Sequence, residues 1–187
     1  DRLAWSRRGL LGEPGFFALR ELRRRDPEGY HNAAHLREDA FREDLYACLA
    51  DRRFVTSPGR IVLRRDDRRN RTDVDAGVFD RKTGTLAVFE LKAQDPLART
   101  LTEQERQAEN LARAGHQMAA VLDWIARNGA DEILSRMDRA AAKRFRVQRV
   151  VPFVLGRYGA RSGTANRNPR VAWGSWPRFL QAMEGAS

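Results

Sequence analysis

Apolar residues recur at helical spacing in two long stretches and cluster in four shorter ones. In the first stretch, Leu36, Phe41, Leu45, Cys48 and Leu49 form one stripe, which predicts a helix over 33–50 capped by Asn32. In the second, Leu101, Ala108, Leu111, Gly115, Met118, Leu122 and Ile125 step by three, four and seven residues, which predicts a long helix over 98–127. Gly115 lies on that stripe and implies close approach by another element. A shorter helix is expected at 131–144. The β-rich runs are 60–64, 72–80, 85–92 and 147–155. Arg81-Lys82-Thr83-Gly84 joins two of them as a hairpin, and the last is apolar enough to be a buried strand. Pro14 opens a short helix that ends near Arg25. Asp26-Pro27-Glu28-Gly29 reads as a turn, and 66–71 and 159–170 as polar loops. The resulting order of helix, strand, hairpin, long helix and strand predicts an α/β fold with a central mixed sheet flanked by helices. The expected division is a basic helical extension over 1–31, a core over 32–155, and a basic loop with an aromatic tail over 156–187. In that tail Trp173, Trp176 and Phe179 are expected to pack back on the core.

Composition narrows this picture. The 187 residues suit one domain with appendages. The single cysteine, Cys48, excludes an internal disulfide and reads as a buried small hydrophobe in a reducing, cytoplasmic setting. No apolar run approaches membrane-spanning length. The chain begins at Asp1 rather than Met, as a piece of a larger protein would. A net charge of +10 favours a polyanionic partner, with nucleic acid, and DNA in particular, foremost. The 35 basic residues comprise 32 Arg and three Lys, a skew that a GC-rich genome would also produce. It makes each lysine informative.

The hairpin carries the candidate chemistry. With Arg81–Gly84 as the loop, opposed residue numbers sum to 165, so Asp75 faces Glu90 and Asp73 faces Lys92. Period two then puts all four on one face, with Val74, Ala76, Val78, Phe89 and Leu91 on the other. Directly opposed like charges are unfavourable unless a cation lies between them. Two hard carboxylates suit Mg²⁺ or Mn²⁺. A lysine two residues beyond Glu90 can assist a water, which arginine cannot do because it stays protonated. For Asp73, a cross-strand salt bridge to Lys92 is expected rather than metal ligation.

Asp75 followed by Glu90-Leu91-Lys92 at the end of an apolar strand resembles the PD-(D/E)xK nuclease superfamily, although Val74 stands where the motif has proline. The resemblance covers 32–155 and implies a restriction-endonuclease-like αβββαβ core. It further implies that Asp75 and Glu90 hold metal and that Lys92 assists the attacking water, so that Asp75, Glu90 and Lys92 form the catalytic set. Such domains serve repair, restriction and phage defence. The resemblance also implies a ligand from the first helix. Glu38, which borders the apolar stripe, is the better placed, and Glu43 stays open. Gln107 and Gln117 are weak candidates on the long helix.

His31 and His35 lack a matching zinc pattern and read as a polar helix start, and His116 as a surface or packing residue. Arg65, Arg68, Arg69 and Arg71 precede the catalytic strand and could grip phosphates. The functional expectation is a Mg²⁺-dependent nuclease. The alternative is a non-catalytic nucleic-acid-binding module that keeps the same fold.

Overall fold

The computed structural model describes residues 21–64, 69–93, 101–157 and 168–184. The described residues divide into two compact units, with the boundary after Asp39.

In the first unit, residues 21–25 are helical and α1 spans Pro27–Asn32. A turn was expected here. A helix forms instead because Asp26 Oδ1 accepts the Gly29 amide at 2.9 Å while Pro27 takes the first helical position, where its missing N–H costs nothing. Asn32 consequently ends α1 rather than capping the next helix. Tyr30 lies under the Arg37 guanidinium at 4.1 Å. Helix α2, Ala34–Ala47, runs across the unit boundary.

Among the described residues the second unit holds seven strands: β1 Phe54–Thr56, β2 Ile61–Arg64, β3 Asn70–Val74, β4 Ala76–Asp80, β5 Thr85–Lys92, β6 Arg149–Gly156 and β7 Ala172–Ser175. Its remaining helices are α3 Leu101–Asn128, α4 Ala130–Met137, α5 Arg139–Arg144 and α6 Trp176–Glu184. Five strands form one mixed sheet in the order β1-β4-β5-β6-β7, and β2 with β3 forms a separate two-stranded ribbon. β4 is antiparallel to β1 and β5, whereas β6 is parallel to both β5 and β7. β5 is thus the central strand, which explains its near-continuous apolar run. Leu86 and Val88 face one core with Met118, Val121, Ile133 and Leu134 from α3 and α4. Phe89 and Leu91 face a second core with Phe41 and Leu45 of α2 and Trp176 and Phe179 of α6. Among the described residues no helix is long and apolar enough to cross a membrane.

The expected hairpin register holds from Asp80↔Thr85 to Ala76↔Phe89. Asp80 fixes it chemically. Its carboxylate accepts Arg53 Nε at 2.7 Å and Nη2 at 2.6 Å, the Lys82 amide at 2.9 Å and the Thr83 hydroxyl at 2.7 Å. The Arg53 guanidinium holds this carboxyl well below the usual carboxylate range. Gly84 closes the turn with φ 66°, a left-handed conformation that favours glycine.

Several expectations are corrected. The run 72–80 is not one strand. The chain bends at Asp75, and β3 leaves the sheet to pair with β2. Val74 therefore joins Ile61 and Leu63 in the first core, instead of sharing a face with Ala76 and Val78. The stretch 131–144 is two helices, broken at Asp138, whose carboxylate caps α5 by accepting the Ala140 and Ala141 amides. Cys48 is exposed, and its thiol donates to the Leu45 carbonyl. Leu36 and Leu101, read as inward-facing, are 58% and 77% exposed. β1, β7 and α6 had not been foreseen as elements, although the aromatic tail does pack back. Trp173 lies against the first core, and Trp176 and Phe179 lie in the second.

Gly115 has the expected close neighbour, since a Cβ there would lie 3.4 Å from the Trp173 ring. Gly115→Ala should therefore be tolerated and gain up to ~1 kcal/mol of helix propensity. Gly115→Leu should overpack the Trp173 contact and cost about 1–3 kcal/mol. Urea unfolding of both variants measures the contrast, and equal stabilities would refute the close approach.

Candidate active site

Two ladders converge on Asp75. Continuing the β4–β5 register one step beyond Ala76↔Phe89 brings Asp75 level with Glu90. Continuing the β2–β3 register one step beyond Ile61↔Val74 brings Asp75 level with Arg60. The bend is closed by hydrogen bonds at the residue itself. The Asp75 amide donates to the Phe89 carbonyl at 3.0 Å, and the Leu91 amide donates to Asp75 Oδ2 at 2.9 Å. A side-chain oxygen thereby satisfies a buried strand amide that the departing backbone no longer reaches. Arg42 of α2 donates to the Asp75 carbonyl at 3.3 Å.

Glu90 is 1% exposed and Asp75 4%. Lys92, two residues along β5, places Nζ 2.5 Å from Glu90 Oε1. Glu90 Oε2 is buried without a hydrogen-bond partner among the described residues. Burial pushes the Glu90 carboxyl up from 4.5 to about 8, and the neighbouring Asp75 charge adds to the rise. Lys92 opposes this without offsetting it. Asp75 is also raised, chiefly by burial, against the Leu91 hydrogen bond and the charges of Lys92 and Arg60. A carboxylate oxygen buried without a donor is costly unless a proton or a cation meets it. The donor set of two carboxylates is all hard oxygen and suits Mg²⁺ or Mn²⁺ rather than a thiophilic metal.

Asp73 does not pair with Lys92. It stands opposite Val62 in the β2–β3 ribbon, because β3 has left the sheet. Its carboxylate takes Arg60 Nη1 at 3.1 Å and Gln117 Nε2 at 2.8 Å. Gln117, a weak candidate from the long helix, thus reaches the neighbourhood of the site, while Gln107 is half-buried nearer the start of α3. Glu38 is half-buried and belongs to the first unit, and Glu43 is exposed. Among the described residues no three His, Cys, Asp or Glu side chains lie close enough together to hold a metal ion. His35 and His116 are exposed. Of the basic loop, Arg65 and Arg68 lie outside the described residues, Arg69 is exposed, and Arg71 lies in β3.

Arg60 and Arg42 had not been singled out in the sequence. In a chain with 32 arginines, residue type is no signal. The β2–β3 pairing would have identified Arg60, but a register shift between Leu63 and Arg64 hides it from simple counting.

The raised Glu90 pKa has a stability consequence. The metal-free folded state keeps a proton that the unfolded chain releases above about pH 4.5, so this contribution is complete below 4.5 and is lost as pH rises through about 8. In EDTA, the wild-type melting temperature should fall between pH 5 and 8 relative to that of Glu90→Gln, which cannot ionise. Parallel curves for the two proteins would show that Glu90 is not held in its protonated form.

No family model matches the chain, and no curated protein or solved structure does.

Proposed function

We propose that this chain is a metal-dependent nuclease that hydrolyses phosphodiester bonds of nucleic acid, DNA foremost. The observation that carries this reading is the buried Asp75–Glu90 pair, with one Glu90 oxygen lacking a donor and Lys92 at the same strand end. The element order from α2 through β6 is compatible with a restriction-endonuclease-like core, and Asp75, Glu90 and Lys92 fit the motif that the chain resembles.

In this proposal Asp75 and Glu90 hold Mg²⁺ or Mn²⁺, which when bound polarises the phosphodiester and offsets charge developing on it. Glu90 gives up its proton as it takes up that role. Lys92 Nζ orients the attacking water and carries its proton, since an amine near a buried carboxylate can exchange protons where a guanidinium cannot. Asp73, tied to Gln117 and Arg60, keeps the ribbon in register beside the pair. The net charge of +10 draws the polyanionic substrate toward the surface, and Arg69 stands exposed just ahead of β3.

The direct test is incubation of plasmid and linear DNA with millimolar Mg²⁺ or Mn²⁺. Cleavage abolished by EDTA is expected, and intact DNA under all these conditions would sink the proposal. Lys92→Ala should reduce cleavage by ~10²–10⁴ while leaving metal uptake nearly unchanged. Near-normal turnover would remove Lys92 from the chemistry.

Melting curves supply a second test. Asp75→Asn removes a buried charge, so in EDTA the variant should be at least as stable as wild type. A ligand that binds only the folded state adds about 2.7 kcal/mol at a hundredfold excess over Kd. With Mn²⁺ the wild type should gain melting temperature and Asp75→Asn much less, which reverses their order. Identical responses would exclude Asp75 as a ligand.

A further inference from the structure

Two oxygens of Asp75 have different duties. Oδ2 accepts the Leu91 amide, so it is committed to holding the bend. Oδ1 faces Arg60, whose Nε lies 3.6 Å away, while Arg60 Nη1 lies 3.1 Å from Asp73 Oδ2. The arginine therefore lies against the Asp75 oxygen that a metal would take. It comes from the residue just before β2, and its side chain is 44% exposed, against 6% for Asp75, 1% for Glu90 and 19% for Lys92. Its side chain is more exposed than those of Asp73, Asp75, Glu90 and Lys92 beside it.

We propose that Arg60 is the resident counter-ion of this site, yielding Asp75 Oδ1 to the incoming metal and then binding a phosphate of the substrate. The proposal rests on the nuclease reading. A metal on Oδ1 would repel a guanidinium 3.6 Å from the same oxygen, and on this account metal uptake drives the guanidinium away from it. Asp73, itself held by Gln117, keeps the Arg60 Nη1 end beside the site. A guanidinium forks onto a phosphate with the same paired geometry that it uses for a carboxylate. Displacement therefore exchanges one anionic partner for another, and the substrate supplies the new one. Arg60 on this account weakens metal binding and strengthens nucleic-acid binding.

These opposite signs separate the proposal from a merely structural role, since a damaged fold would weaken both. Calorimetric titration of metal-free protein with Mn²⁺ should show Arg60→Gln binding the metal on the order of five- to tenfold tighter than wild type, with Arg60→Lys close to wild type. In the Lys92→Ala background, which leaves the strand uncut, adding Arg60→Gln should weaken binding of a short DNA duplex in Mn²⁺ by several-fold. Lysine at position 60 should restore part of the loss, because it keeps the charge without the fork. Mn²⁺ affinity that is unchanged or lower in Arg60→Gln would overturn the counter-ion role, and undiminished DNA binding would overturn the phosphate role. A wild type that takes up no Mn²⁺ would instead overturn the nuclease reading, and this inference with it.

Discussion

The Asp75 carboxylate accepts the Leu91 amide at the point where the chain leaves the central sheet, and the geometry of the site depends on that bond. Without it a buried β5 amide would lose its partner when β3 turns away, at a cost of about 1–3 kcal/mol. With it, the strand can break at one residue. β4 stays in the sheet, and β3 rotates to pair with β2, which carries Val74 into the other core. The same residue then stands one step beyond the ends of two ladders, after Ala76↔Phe89 on one side and Ile61↔Val74 on the other. One oxygen serves the fold and the other faces a cation.

Burial makes the pair unstable as two bare charges. β5 is the middle strand, covered by α3 and α4 on one face and by α2 and α6 on the other, so Glu90 has almost no access to water. Lys92 reaches only one of its oxygens. The carboxyl of Glu90 responds by holding its proton to about pH 8. Two buried carboxyl groups side by side cost stability unless a proton or a cation meets them. Arg60 supplies partial neutralisation from the solvent side, and the Asp73–Gln117 contact steadies the ribbon that presents it.

Much of this was legible in local pattern. The Arg81–Gly84 turn, with Asp80 before it and a glycine at positive φ, set the hairpin register, and counting gave it correctly as far as Ala76↔Phe89. The long helix and the central strand followed from apolar spacing, and Gly115 announced its contact with Trp173. Counting failed at Asp75, because period two assumes an unbroken strand and the break is stabilised by a side chain's bond to a residue 16 positions away. Asp73 was consequently assigned to Lys92 when it belongs with Arg60 and Gln117. Leu36 and Leu101 show the complementary error, since a stripe marks one face of a helix without saying how far along the helix other elements cover it.

Elements whose signal is carried by neighbouring residues were readable from the chain alone: the two long helices, the hairpin, and Glu90 with Lys92 at the end of β5. Periodicity and turn chemistry are local, and they survive whatever packs around them. The placement of β1 and β7, the side chosen by Val74, the arrival of Arg60 and Arg42 at Asp75, and that of Gln117 at Asp73 depended on contacts between residues far apart in sequence. Such contacts form when distant segments compete to bury apolar surface and to satisfy backbone amides. The outcome depends on how all of those segments pack together, which no single window of the chain contains.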